Sequence, residues 1–325
     1  MRNKAHSLAT GGRFLLLVIM VLAMTFSLLA VSPIDPVLYY TSENLFAMST
    51  EHTAQFSAQL GLDQSLTARF GSWFWHLLQG DLGYSISQQQ PVAEILQQRV
   101  PLTLRLMIMG WIGSLTLGYC SGIFAAFFRG RPIDRFIRGV CWVSAAAPAF
   151  WIALLALSLF GVYLQWTPVC CGAPIGVSPD SISWIEQMPY LVLPTIVLSL
   201  TGMGHIAMHT REKAVQVLAS EHVLYARMHG KKGWVIYRQH LLRNTLTPAI
   251  VLQCAGLSEL LGGSALIETV FNFPGIGMTM VVAGLNGDIA LLMAVTMLSM
   301  LLVFTGNGIA RLVSVKLLPE GRAHV

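Results

Sequence analysis

The sequence predicts an all-α membrane protein with about six transmembrane helices, and three observations carry that prediction. Of 325 residues, 54% are apolar and only 11% are charged, whereas a soluble domain carries about a quarter charged residues. The charge that remains is gathered in short blocks between apolar runs, and about 20 apolar residues suffice to cross a ~30 Å hydrocarbon core as a helix. No run shows the period-two alternation of an outer-membrane barrel. Unpaired backbone groups are too costly in lipid for any other open structure, so helices remain.

The runs follow in order. The first, residues 14–31, is preceded by Arg2, Lys4 and Arg13 and so resembles a secretory signal. It is longer than the usual 7–15-residue signal core, which predicts an uncleaved first span. Five more runs cover 102–128, 140–163, 191–209, 248–270 and 289–313. Pro148, Pro194 and the pairs Gly202/Gly204 and Gly262/Gly263 interrupt them; such residues permit kinks and close helix approach in membranes. The expected organisation is a tail and first span over 1–31, an outer loop region over 32–101, a five-helix core over 102–315 and a short tail over 316–325. Within the outer region, 91–100 is amphipathic, with Val92, Ile95, Leu96 and Val100 on one helical face.

Lysine and arginine set the expected orientation. Seventeen of the twenty lie in the N-terminal tail, the loop between spans two and three, the loop between spans four and five, or the C-terminal end. Only Arg69, Arg99 and Arg105 fall on the other side, and Arg105 is expected to reach outward from the start of span two. Both termini are therefore expected in the cytoplasm of a bacterial cell, with the chain in the inner membrane. The net charge of +5 is spent beside membrane spans, so no nucleic-acid partner is expected; membrane lipid is. The basic loop 211–244 is helix-prone, with Gly230 and Gly233 supplying a turn at its middle. A short helix–turn–helix there suits docking of a protein partner, or attraction to anionic lipid.

Polar groups inside spans are functional candidates. Glu259 lies mid-run in span five beside Gly262 and Gly263 and is a candidate for the translocation pathway, or for a bond to a neighbouring helix. Glu268, nearer the outer end, is expected at the interface. His205 and His209 stand one turn apart where span four meets the basic loop; that is the spacing of a two-ligand metal site, but wetted interfacial histidines are the favoured reading. Cys120, Cys141 and Cys254 read as small apolar residues. Cys170 and Cys171 are adjacent, and adjacent cysteines are not expected to bridge. No catalytic constellation of Ser/His or paired Asp appears within the spans, and no Gly-x-x-x-x-Gly-Lys-Ser/Thr phosphate loop occurs. No cofactor is expected on this chain.

The stretch Glu221-His-Val-Leu-Tyr-Ala-Arg-Met-His-Gly230, followed by Arg238-Gln-His-Leu-Leu-Arg-Asn-Thr-Leu-Thr-Pro248, resembles the coupling loop of ABC importer permeases of the dipeptide, oligopeptide and nickel branch. Leu60-Gly-Leu-Asp63, Gly80-Asp-Leu-Gly-Tyr-Ser85, Pro101-Leu-Thr-Leu104, Leu261–Phe271 and Phe273-Pro-Gly-Ile-Gly277 resemble further parts of that branch in matching order. Arg311 stands near where members carry Asp. The resemblance implies a type I ABC importer permease fold and a non-catalytic subunit. It also implies a second homologous permease, two cytoplasmic ATP-binding subunits that use ATP-Mg, and a periplasmic substrate-binding protein. It further implies that Glu221, Ala226, Arg227, Gly230, His240, Arg243, Asn244 and Pro248 form the ATPase-coupling loop. Small Ala226 and Gly230 would let the loop seat closely, and Glu221 and Arg227 would fix register by charge. Ser258-Glu-Leu-Leu-Gly-Gly263 and Tyr163-Leu-Gln-Trp-Thr-Pro168 resemble nickel-importer permeases, which points to nickel or a metal chelate as cargo; di- and oligopeptides are the alternative. An ATP-independent channel or ion-coupled carrier would lack such a loop and would usually carry internal repeats.

Overall fold

A computed structural model describes residues 2–32, 65–174, 176–177 and 182–317. The motif Leu60–Asp63 and the end of the C-terminal tail lie outside the described residues. The helices are α1 (Arg2–Val31), α2 (Leu66–Leu78), α3 (Val92–Phe127), α4 (Pro132–Ala146), α5 (Ala149–Ala156) and α6 (Trp184–Leu218). They continue with α7 (Glu221–Met228), α8 (Gly233–Ile236), α9 (Leu242–Ala255), α10 (Leu257–Val270), α11 (Ile276–Leu285) and α12 (Ile289–Leu317). Leu157–Tyr163 and Tyr237–Leu241 are π-helical turns, and Tyr84–Ser85 (β1) pairs antiparallel with Gln90–Pro91 (β2). Among the described residues, four helices are long and apolar enough to cross a bilayer, or up to six spans are present if each of two bent pairs is one span.

Those bent pairs correct the single helices expected in spans three and five. The chain turns by 109° between α4 and α5, and by 58° between α9 and α10. Pro148 explains the first break: it occupies the N-cap of α5 with extended backbone, and its ring cannot continue the preceding helix. Gly256 stands at the second, serving at once as the C-cap of α9 and the N-cap of α10. Pro194 breaks nothing, lying inside the continuous α6. The amphipathic piece 91–100 is likewise no separate element, because α3 runs from Val92 straight through Pro101.

Contacts divide the chain into two compact units, one drawn from residues 1–101 and 278–302, the other from 102–277 and 303–325. In the first, Phe14, Val18, Leu22 and Phe26 recur every fourth residue along one face of α1. They pack with Phe70 and Trp73 of α2 and with Met293 and Met297 of α12. The other face, including Leu16, Met20, Met24 and Leu28, is uncovered and apolar, as a lipid-facing surface requires. The Gly80–Ser85 motif is fastened by Asp288: its carboxylate accepts from Ser85 Oγ at 2.6 Å, Ser87 Oγ at 2.8 Å and Ser87 N at 3.0 Å. Its other oxygen accepts from Leu291 N at the start of α12. Gly83, at φ +83°, makes the turn that an L residue would strain.

In the second unit, α6 is the central helix, and small residues let its neighbours approach. A Cβ on Gly110, Gly113, Gly118 or Gly122 of α3 would collide with Leu198, Ser199, Ile206 or the backbone at Ala207, respectively. Gly204 of α6 meets α4 in the same way at the Cys141 carbonyl. Close backbone approach replaces the hydrophobic drive that lipid does not supply between helices. Arg105 does not simply reach outward: its Nη1 donates to Gln187 Oε1 at 2.7 Å and its guanidinium lies 4.3 Å from the centre of the Trp184 ring.

Candidate functional site

Two regions of the second unit hold the residues singled out above. The first is the loop between α6 and α9. Ser220 precedes α7, in which Val223 and Ala226 are buried, and Val223 packs in a core with Ile236, Leu241 and Ala249. Ala226 is covered within the chain itself. Gly230 has open space where a Cβ would lie and a φ of +78°; its role is the left-handed turn that ends α7, with Lys231 N donating to Ala226 O at 3.1 Å. Glu221 and Arg227 are exposed and enter no ion pair among the described residues.

The exposed side of this loop carries a set of apolar side chains among its charged ones. Leu224, Tyr225, Met228, Trp234 and Val235 are exposed, Met228 by 79% and Trp234 by 70%. Side chains of the loop also contact one another. The His222 and His240 rings lie 5.4 Å apart, those of Trp234 and Tyr237 5.1 Å, and Lys231 Nζ donates to Gln239 Oε1 at 2.8 Å. Asn244 Nδ2 donates to the His240 carbonyl at 2.7 Å, tying the π-helical turn to α9. Arg243 is exposed, and Pro248 lies half-buried inside α9.

At the foot of α6 the structure adds a clamp that sequence reasoning passed over. Arg211 Nε and Nη2 donate to the two oxygens of Asp134 at 2.6 and 2.7 Å, while Gly130 N donates to Asp134 Oδ2 at 2.9 Å. Asp134 is 1% exposed. A fork-to-fork pair of this kind fixes orientation as well as distance, so the start of α4 and the base of α6 move together. The signal was present: Asp134 is the lone acid among Arg129, Arg131, Arg135 and Arg138.

The second region is a groove of about 600 Å³ where the two helix breaks meet α6. Ala147 and Ala149 line it from the first break, Ala255 and Gly256 from the second, and Thr201, His205 and His209 from α6. Glu259 joins the same lining. The structure thus brings together Glu259, His205 and His209, three residues singled out separately in the sequence. A shared lining is not a ligand set, and among the described residues no three His, Cys, Asp or Glu side chains are placed to hold a metal. Gln253 steadies the wall just before the second break, its Nε2 donating to Trp111 O at 3.0 Å and Ser114 Oγ at 2.7 Å.

Glu268, nine residues beyond Glu259, is enclosed by the chain. It is fully buried and accepts from Thr103 Oγ1 at 2.7 Å and Gly277 N at 2.7 Å, while Thr103 Oγ1 accepts from Ile276 N at 2.7 Å. Gly275 and Gly277 allow this, since a Cβ on either would crowd the carboxylate. Beside that corner the structure joins Cys170 to Cys171 in a disulfide, against expectation. Cys171 N donates to Phe271 O at 3.3 Å, and Gly172 lies against Phe273 and Pro274.

Two family models match the chain: a binding-protein-dependent transport system inner membrane component over residues 118–318, and the N-terminal membrane component of such systems over residues 9–107. A putative peptide transport system permease protein of Brucella abortus is 31% identical over 83% of this chain and 84% of its own length. A putative peptide permease protein of Brucella suis is 31% identical over 91% of each chain. The oligopeptide transport system permease protein AppB of Bacillus subtilis is 28% identical over 88% of this chain and 89% of its own.

Proposed function

Because this chain belongs to the family of binding-protein-dependent transport system inner membrane components, the permease subunits of ABC importers, we propose that it forms half of a pathway for short peptides. Relatives named for peptide transport, matched over most of both chains, are the observation that carries the cargo. The nickel expectation rested on two short stretches, and neither the relatives' names nor the groove's side chains support it. Peptides take its place.

The loop from Ser220 to Leu241 is the lever that meets a separate ATPase subunit. Its uncovered apolar face, centred on Tyr225, Met228 and Trp234, seats in a groove of that partner, and the buried side anchors it to α6 and α9. The Asp134–Arg211 clamp carries the displacement to α4, since packed interfaces switch between discrete arrangements and do not deform continuously. The distribution of lysine and arginine supports placing this loop and both termini in the cytoplasm. A second permease completes the pore, two ATP-binding subunits drive it, and an external binding protein delivers cargo.

Reconstitution with the neighbouring subunits tests this reading. ATP-dependent uptake of alanyl tripeptides, with none of Ni²⁺, is expected. Uptake of Ni²⁺ alone would reject the peptide assignment. Met228→Asp, on the uncovered face, is expected to leave insertion intact and to abolish stimulation of the ATPase by loaded binding protein; undiminished stimulation would reject the docking role.

A further inference from the structure

We propose that the groove at the two helix breaks is a water-filled station that accepts an ammonium group, with Glu259 as its acceptor. The identity of that ammonium, a peptide's terminal or lysine amine, rests on the peptide reading; the electrostatic character of the groove does not.

Backbone geometry comes first. Both breaks fall inside apolar segments, and irregular backbone at membrane depth persists only where it is buried in protein or lines a water-filled cavity. Here both breaks open on one cavity, through Ala147 and Ala149 on one side and Ala255 and Gly256 on the other. Interrupted helices meeting near a shared cavity are the arrangement by which transporters present polar groups to cargo within a bilayer.

Charge comes second. Glu259 is exposed to the groove and makes no hydrogen bond or ion pair among the described residues. A bare carboxylate cannot face hydrocarbon without a large penalty, so it needs water and a cation. No lysine or arginine lines the groove. Glu259 is the sole acidic side chain in the lining, and its carboxylate gives the groove its attraction for cations. Thr201 and Gln253 supply neutral polar surface that lets an ammonium arrive and leave without a second fixed charge to trap it.

Thiol labelling in membranes holding the whole complex during ATP turnover tests the station. Cys120, Cys141 and Cys254 are replaced by alanine and Thr201 by cysteine. The groove thiol is then treated with a cationic trimethylammonium-ethyl or an anionic sulfonatoethyl thiosulfonate. After correction for their rates with a free thiol in water, the cation is expected to react roughly tenfold faster. That preference should collapse to within about threefold in Glu259→Gln and survive in Glu259→Asp. A thiol that neither reagent reaches would mean the groove is sealed, and a preference unchanged by Glu259→Gln would mean that it does not arise from the Glu259 carboxylate. Either result overturns the inference.

Uptake supplies the cargo arm. Glu259→Gln is expected to slow lysine-bearing tripeptides roughly tenfold more than glutamate-bearing ones, about the factor that one charge-assisted contact supplies. An equal loss for both would overturn the station as a selective element. If the unaltered complex moves no peptide, the peptide reading fails while the labelling result still decides the groove.

Discussion

Helix α10 carries two carboxylates nine residues apart, and they are opposites. Glu268 is fully buried, receives hydrogen bonds from Thr103 and Gly277, and has glycines cleared away from its oxygens. Glu259 is exposed in a groove and makes no such bond among the described residues. Every donor around Glu268 is fixed by the fold, so its charge stabilises one arrangement of the Phe271–Gly277 corner. Around Glu259 the fold supplies space, and its charge is left for something that comes and goes. Under the proposal above, two like residues on one apolar helix divide into a structural and a functional role according to whether their partners belong to the chain.

The sharpest way to break this contrast is at Gly277. Its substitution by valine would drive a side chain into Ala265 and the Glu268 carboxylate. Overpacking costs ~1–3 kcal/mol, and displacing a buried carboxylate from its donors adds a few more. The expected outcome is loss of folded protein, read as little accumulation in the membrane and no cooperative melt in detergent. Asp134→Ala comes next. It strands Arg211, which keeps 19% exposure, so the full ~3–5 kcal/mol for breaking a buried pair is discounted to about 2 kcal/mol. A lowered melting temperature in detergent checks it, and Asp134→Glu should recover part of the loss.

How much of this was legible beforehand depended on whether a residue's role was local. The apolar runs identified the spans because lipid imposes one requirement along a whole helix. The left-handed turn at Gly230 also followed from its neighbours alone. The motif marks Ala226 as small, but that it is covered within the chain itself depends on tertiary packing, which the motif does not encode. Pro148 and Pro194 looked alike in the sequence, yet one breaks a span and the other sits inside α6. A proline's local cost is similar in both places, and the packing around it determines whether the helix yields. The meeting of Glu259 with His205 and His209 joins positions some fifty residues apart, and no periodicity encodes that.

Smaller effects refine the comparison. Cys170 and Cys171 close only a minimal loop, so their bridge removes little freedom from the unfolded chain. Replacing both by serine is expected to lower stability by no more than about 1 kcal/mol, read as a shift of a few degrees in the detergent melt. The docking of Gly172 on Phe273 and Pro274 should survive; a larger loss would assign the disulfide a share in holding the corner that Glu268 organises.

The smallest effect belongs to Glu259→Gln. Removing an unpaired charge from a groove strands no partner within the chain and opens no cavity, and surface-like changes of that kind fall within about 0.5 kcal/mol. The expected melting temperature is unchanged or slightly higher, because an uncompensated carboxylate in an apolar segment is a cost to the folded state. A drop as large as that of Asp134→Ala would show that Glu259 is a bonded structural residue after all. The division of α10 into a fixed end and an open one would then be lost.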